Sequence, residues 1–259
     1  MSKKAIQIDS VHSAWQRVTP IASSLGVSAD GNIRGHDSVN EDGHQTSKYS
    51  VVEEVWHTLT HGLGAILGVI ALVFMVAKAS MSDHPDTVFA VSVFGAGMIT
   101  MFMASTLYHG SFRSRFQPFF RMLDHSAIYI MIAGSYTPFA LVILPPETGY
   151  PLMVIVWTVA ALGVGFKAVM YILKRQNQLE WISLTTYLGL GWAAVVVVSA
   201  LYELLPGSGF GWLVAGGLCY TLGAVIYAIE RIPFGHTIWH VMVMAGASCH
   251  FVSVYAYVV

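Results

Sequence analysis

The sequence predicts an all-α integral membrane protein, a seven-transmembrane-helix bundle with a cytoplasmic N-terminus and an external C-terminus. Composition is the first reason: 55% of the 259 residues are hydrophobic and 10% are charged, whereas a soluble globular domain carries about 25% charged residues. The mean hydropathy of +0.63 agrees. The second reason is that apolar stretches long enough to cross about 30 Å of hydrocarbon recur along the chain. The third is the placement of the cations, which sorts the connecting segments into two sides.

The spans are expected at residues 57–79, 86–109, 124–144, 150–172, 180–201, 210–230 and 236–257. Breakers separate them in order: SDHPD, RSRFQPFFR, LPPETGYP, KRQNQ, LLPGSG and RIPFG, rich in the Pro, Gly and polar residues that end helices. These joints are short, so consecutive spans run antiparallel. Residues 1–50 precede them as a polar, flexible cytoplasmic tail with no apolar core of a signal peptide. Its His12, His36 and His44 follow no ligand-like spacing and are read as solvated. Residues 51–259 form the transmembrane domain.

With the N-terminus inside, Lys48, Arg113, Arg115, Arg121, Lys174, Arg175 and Arg231 flank spans on the cytoplasmic side, and only Lys78 lies outside. That imbalance orients the bundle. Lys167 is placed near the inner end of its span, where its stem can snorkel. Trp181, Trp212, Tyr150 and Tyr202 fall at span ends as interfacial residues. A net charge of -1 gives no basic field and points away from nucleic acid. Cys219 and Cys249 sit in apolar runs and read as buried thiols.

Ionisable residues inside spans are functional candidates by default, and here they share one depth. The second span ends in STLYHG, bringing Ser105 and His109 to its inner end; LDHSAIY brings Asp124 and His125, GHTIWH brings His236 and His240, and EEVWHTLTHG brings Glu53, Glu54, His57 and His61. His236 and His240 are i and i+4, on one helix face about 6 Å apart, the spacing that lets two imidazoles reach one metal. Ser105 and His109 repeat it. Three histidines and a water make a zinc site of the catalytic type. Asp124 then serves as base or orienter of that water, and Ser105 as its holder or as an oxyanion donor. Taken singly, Asp124 also fits as an N-cap and His109 as a headgroup-facing residue. No Lys or Arg among these span-end residues stands to neutralise Asp124.

Other chemistries fit less well. No Glu follows His236, unlike the soluble-protease zinc helix. Histidines at i and i+4 cannot ligate opposite faces of one haem, and the last span has no Lys for a retinal Schiff base. His250 lies about 15 Å along the axis from His240 and is read as a buried hydrogen-bonding or structural residue. His57 and His61 fit either an interfacial placement or, for His61, stacking on the site. The glycines of HGLGAILG and VAGGLCYTLG mark close helix packing, and Pro138 should kink or open the third span.

The ordered set of E-x-x-x-x-x-T-H at Glu54–His61, S-x-x-x-H at Ser105–His109, Asp124 and H-x-x-x-H at His236–His240 resembles the hemolysin III family. These are bacterial relatives of the progestin and adipoQ receptors, in a superfamily that includes alkaline ceramidases. The resemblance spans residues 50–259. It implies a seven-helix bundle in the bacterial plasma membrane, with zinc held at the inner side by His109, His236 and His240, and with Asp124 and Ser105 beside it. One departure stands out: His57 occupies the place where relatives carry Asn. The expected activity is zinc-dependent hydrolysis of an amide or ester in a lipid-like substrate entering from the membrane. The alternatives are a receptor-like regulator with structural zinc and, less in keeping with a resident seven-span chain, a cytolysin. Three histidines also accept cobalt or nickel.

Overall fold

The computed structural model describes residues 49–176, 180–229 and 231–259, so the tail histidines His12, His36 and His44 lie outside the described residues. The chain divides into a unit ending at Val55 and a unit running from Trp56 to Val259. Seven helices are long and apolar enough to cross a membrane: α1 (Val51–Ala79), α2 (Thr87–Gly110), α3 (Gln117–Ile143), α4 (Pro146–Ile172), α5 (Glu180–Leu204), α6 (Gly207–Ala228) and α7 (Gly235–Tyr257). No strand forms among the described residues.

Two helices start well before hydropathy places them, each for a local reason. α1 begins at Val51 because Ser50 and Glu53 form a capping box: the Glu53 carboxylate accepts the Ser50 N–H at 3.0 Å, and the Ser50 hydroxyl accepts the Glu53 N–H at 3.3 Å. Polar caps do not register as apolar length. α3 begins at Gln117, with Pro118 in its first turn, where a missing N–H is tolerated. Asp124 therefore sits inside the helix, and the N-cap reading of this residue is corrected.

Pro138 has the expected effect on α3, whose last turn, Phe139–Ile143, widens to a π-helix. α5 is interrupted by a 3-10 segment, Trp192–Val197. The Tyr136 hydroxyl, reaching across from α3, holds that segment: it accepts the Ala194 N–H at 2.9 Å and lies 2.9 and 2.8 Å from the carbonyls of Leu190 and Gly191. Carbonyls released by the change of helix type are thereby satisfied. Tyr187 of α5 donates to the His125 carbonyl at 2.7 Å, and Arg121 pairs with Glu180, so α5 is tied to α3 at three levels.

Close packing uses glycine where backbones meet. A Cβ on Gly97 would lie 3.3 Å from the Ile130 carbonyl oxygen, and one on Gly134 3.3 Å from that of Val93, so α2 and α3 touch main chain to main chain. The glycine-rich stretches read from the sequence do pack tightly: Gly64 faces Phe102, and Gly216 and Gly223 of α6 face His250 and Trp239 of α7. Phe94, Val91, Tyr129 and Val156 are buried between helices. Leu63, Ile66, Val73 and Phe74 of α1, Val154 and Leu162 of α4 and Val196 of α5 face outward, the arrangement suited to a lipid solvent. Trp181, Tyr150 and Tyr202 are also exposed. Cys219 and Cys249 are free thiols, each only half-buried and not fully buried as read from the sequence.

Candidate metal centre

Five histidines meet where α1 and α7 begin and α2 ends. His57 and His61 come from α1, His109 from α2, His236 and His240 from α7. Helix periodicity explains the convergence, because each pair on one helix is i and i+4 and projects from one face. All but His236 are at most 3% exposed.

The nitrogens face one another. His236 Nε2 lies 3.2 Å from His109 Nε2 and 3.0 Å from His240 Nε2. Two bare imidazole nitrogens at such distances repel unless a proton or a metal ion lies between them. The ligand atoms of His57, His109 and His236 all lie within 4.8 Å of one another, so this three-histidine group can hold a metal ion. His236 and His109 are common to that group and to the set expected from sequence; His240, the third expected ligand, is not in the group, but its Nε2 lies 3.0 Å from that of His236. His57 is the addition. Its ring centroid is 4.6 Å from those of both His109 and His236 and 5.0 Å from that of His240, so this position lies at the heart of the cluster. Its i, i+4 relation to His61 was the available sequence signal.

Around the nitrogens are groups that orient them. The Thr60 hydroxyl lies 2.8 Å from the Trp56 carbonyl, to which it donates, and 3.3 Å from His240 Nδ1. With its hydrogen committed to the carbonyl, Thr60 offers an acceptor, so Nδ1 of His240 carries the proton and Nε2 is the free ligand atom. The His61 ring stacks on His240 at 3.6 Å between centroids and 6° between planes. Stacking, and not an interfacial position, is thus the role of His61.

Ser105 and Asp124 line one cavity together with His61, His236 and His240. Ser105 is hydrogen-bonded to the Asp124 carboxyl, and the neighbouring His125 Nδ1 lies 3.5 Å from it. No Lys or Arg stands among the span-end residues gathered around Asp124 in the sequence, but Arg121 and Lys167 both act on it electrostatically. Arg121 lies one helical turn before Asp124, and Lys167 comes from α4, whose proximity a linear reading does not give. Lys167 is buried at 7% exposure; it turns into the bundle instead of snorkelling. The cavity, of about 200 Å³, runs from this polar end between α2, α3, α5, α6 and α7 along walls formed by Met131, Phe139, Leu201, Phe210 and Val243.

Comparison with known proteins identifies the family. The model of the family described as Haemolysin-III related matches residues 49–251. The chain is 39% identical to Hemolysin-3 of Bacillus cereus over 208 residues, covering 80% of this chain and 93% of that protein. It is 37% identical to the Hemolysin-3 homolog of Bacillus subtilis over 82% of this chain and 97% of that one. The human Monocyte to macrophage differentiation factor is 29% identical over 81% of this chain and 86% of its own. With a match across nearly the whole helical region and two bacterial relatives aligned over nearly their full length, the chain belongs to the haemolysin-III related family of membrane proteins.

Proposed function

We propose that the protein is a zinc-dependent hydrolase of the bacterial plasma membrane that cleaves an amide or ester bond in a lipid-like substrate, with His109, His236 and His240 holding the metal near the cytoplasmic side. The observation that carries this reading is the nitrogen geometry. His236 Nε2 lies 3.2 Å from His109 Nε2 and 3.0 Å from His240 Nε2, each separation close to one edge, about 3.3 Å, of a tetrahedron with Zn–N bonds of about 2.0–2.1 Å. His240 is preferred to His57 as third ligand because Thr60 fixes its tautomer with Nε2 available. His57, packed against all three rings, then holds them in place.

When bound, zinc supplies a Lewis acid that polarises the scissile carbonyl and makes water acidic enough to attack near neutral pH. The chain supplies the rest. Asp124 takes a proton from the attacking water and returns it to the departing amine or alcohol. Ser105 holds the carboxylate at the angle this needs. The apolar cavity wall binds hydrocarbon and keeps bulk water away from the reacting bond.

Elemental mass spectrometry on detergent-purified protein is the first test. One zinc per chain is expected, lost in His236→Ala/His240→Ala and retained in His57→Ala. A metal-free wild type ends the proposal. Asp124→Asn should keep its zinc and lose hydrolysis across a ceramide and phospholipid panel by at least about 100-fold. A second reading draws on the same ligands coming from two helices: zinc that ties α2 to α7 in a non-enzymatic, receptor-like regulator. In that case Asp124→Asn leaves cellular function intact, and the wild type turns over no lipid.

A further inference from the structure

The cavity that begins at His236 and His240 continues along α7 to a second polar locus. Tyr220 of α6 and His250 of α7 both line it, their rings meeting edge to face at 5.4 Å and 68°. His250 is ten residues beyond His240, about 15 Å along the helix, and is only 9% exposed. Its Nε2 lies 3.3 Å from the Leu213 carbonyl, which fixes that nitrogen as the proton-bearing donor and leaves a lone pair on Nδ1. His250 Nδ1 and the Tyr220 hydroxyl are both buried and have no hydrogen-bond partner among the described residues.

The helices are shaped to hold these two rings. A Cβ on Gly216 would come within 2.2 Å of His250, and one on Gly246 within 2.8 Å of Tyr220. Buried polar groups in folded proteins nearly always have partners; Phe210, Leu213 and Val214 nearby are apolar, and the Thr221 hydroxyl of the same wall is already committed to Trp192 and the Gly217 carbonyl. A group that partners both would give a hydrogen to Nδ1 and take one from the phenol. A hydroxyl does both, a ketone only the second and a methylene neither.

We propose that Tyr220 and His250 form a site for a hydroxyl group borne within the hydrocarbon chain of the lipid-like ligand. This rests on the reading that the chain's carbonyl end lies at the histidine cluster. A staggered hydrocarbon advances about 1.25 Å per C–C bond, so a span of about 15 Å puts that hydroxyl roughly at carbon 12. The ligand class is therefore a long acyl chain hydroxylated in its middle, not one hydroxylated next to its carbonyl.

The test is equilibrium binding of radiolabelled fatty acids to the full-length protein in nanodiscs, with empty nanodiscs as background, a measurement that requires no turnover. The probes are stearate and its analogues hydroxylated near the chain middle, at roughly carbon 12, or beside the carboxyl group. The wild type should bind the mid-chain hydroxy acid about ten-fold more tightly than stearate. It should show no such preference for the analogue hydroxylated beside the carboxyl. Tyr220→Phe, which deletes a single oxygen, should bring the ratio to about one. Equal binding of the mid-chain hydroxy acid and stearate by the wild type overturns the proposal. So does a preference that survives Tyr220→Phe, or one shared by both hydroxy acids. A mid-chain preference without hydrolysis of any amide or ester upholds the hydroxyl site and removes only the hydrolase reading.

Discussion

Replacing Thr60 with Val should weaken metal binding without removing a ligand. The side chains are nearly the same size, and the methyl that replaces the hydroxyl keeps the packing. What disappears is the acceptor 3.3 Å from His240 Nδ1, which in the wild type is fixed because the Thr60 hydrogen points to the Trp56 carbonyl at 2.8 Å. In Thr60→Val the imidazole can place its proton on either nitrogen, and the tautomer protonated at Nε2 cannot bind metal there. Partners of this kind are worth about 10–100-fold in affinity, or about 1.4–2.7 kcal/mol. At 3.3 Å the bond is long, so the loss should fall at the lower end, about ten-fold. Chelator competition with a zinc-sensitive dye on purified wild type, Thr60→Val and Thr60→Ser measures it, with Ser expected to restore wild-type affinity. A Thr60→Val affinity within about two-fold of wild type would refute the argument that Thr60 fixes the tautomer.

Two stability predictions follow from the packing. Gly216→Ala places a methyl 2.2 Å from His250 and should lower stability by about 1–3 kcal/mol, whereas Gly211→Ala, with open space around its Cβ, should be neutral or stabilising by up to about 1 kcal/mol; thermal unfolding in detergent compares the two. Tyr136→Phe strands the Ala194 N–H and the carbonyls of Leu190 and Gly191, at a cost of about 1–3 kcal/mol. Hydrogen exchange in that variant should rise within Trp192–Val197 more than in the rest of α5, and a uniform rise would count against this local role.

By itself the sequence determined that there are seven apolar spans and which ionisable residues share one depth. Hydropathy and i, i+4 spacing are local properties, set by helix pitch and by the need to match hydrocarbon thickness. The pairing of His236 with His240 could be read in this way, and so could the level shared with Ser105, His109 and Asp124. Helix starts were less legible at Val51 and Gln117, where a capping box and Pro118 extend helices into polar sequence that hydropathy ignores. Only the tertiary structure decided what lies across from what. Rotation of each helix about its axis put His57 among the other imidazoles, stacked His61 on His240 and turned Lys167 toward Asp124. It also aligned Tyr220 with His250 at the far end of the cavity. Those relations depend on side-chain packing between helices far apart in the chain, and in a membrane such packing is set by small residues and shape, not by the apolar pattern that hydropathy reads.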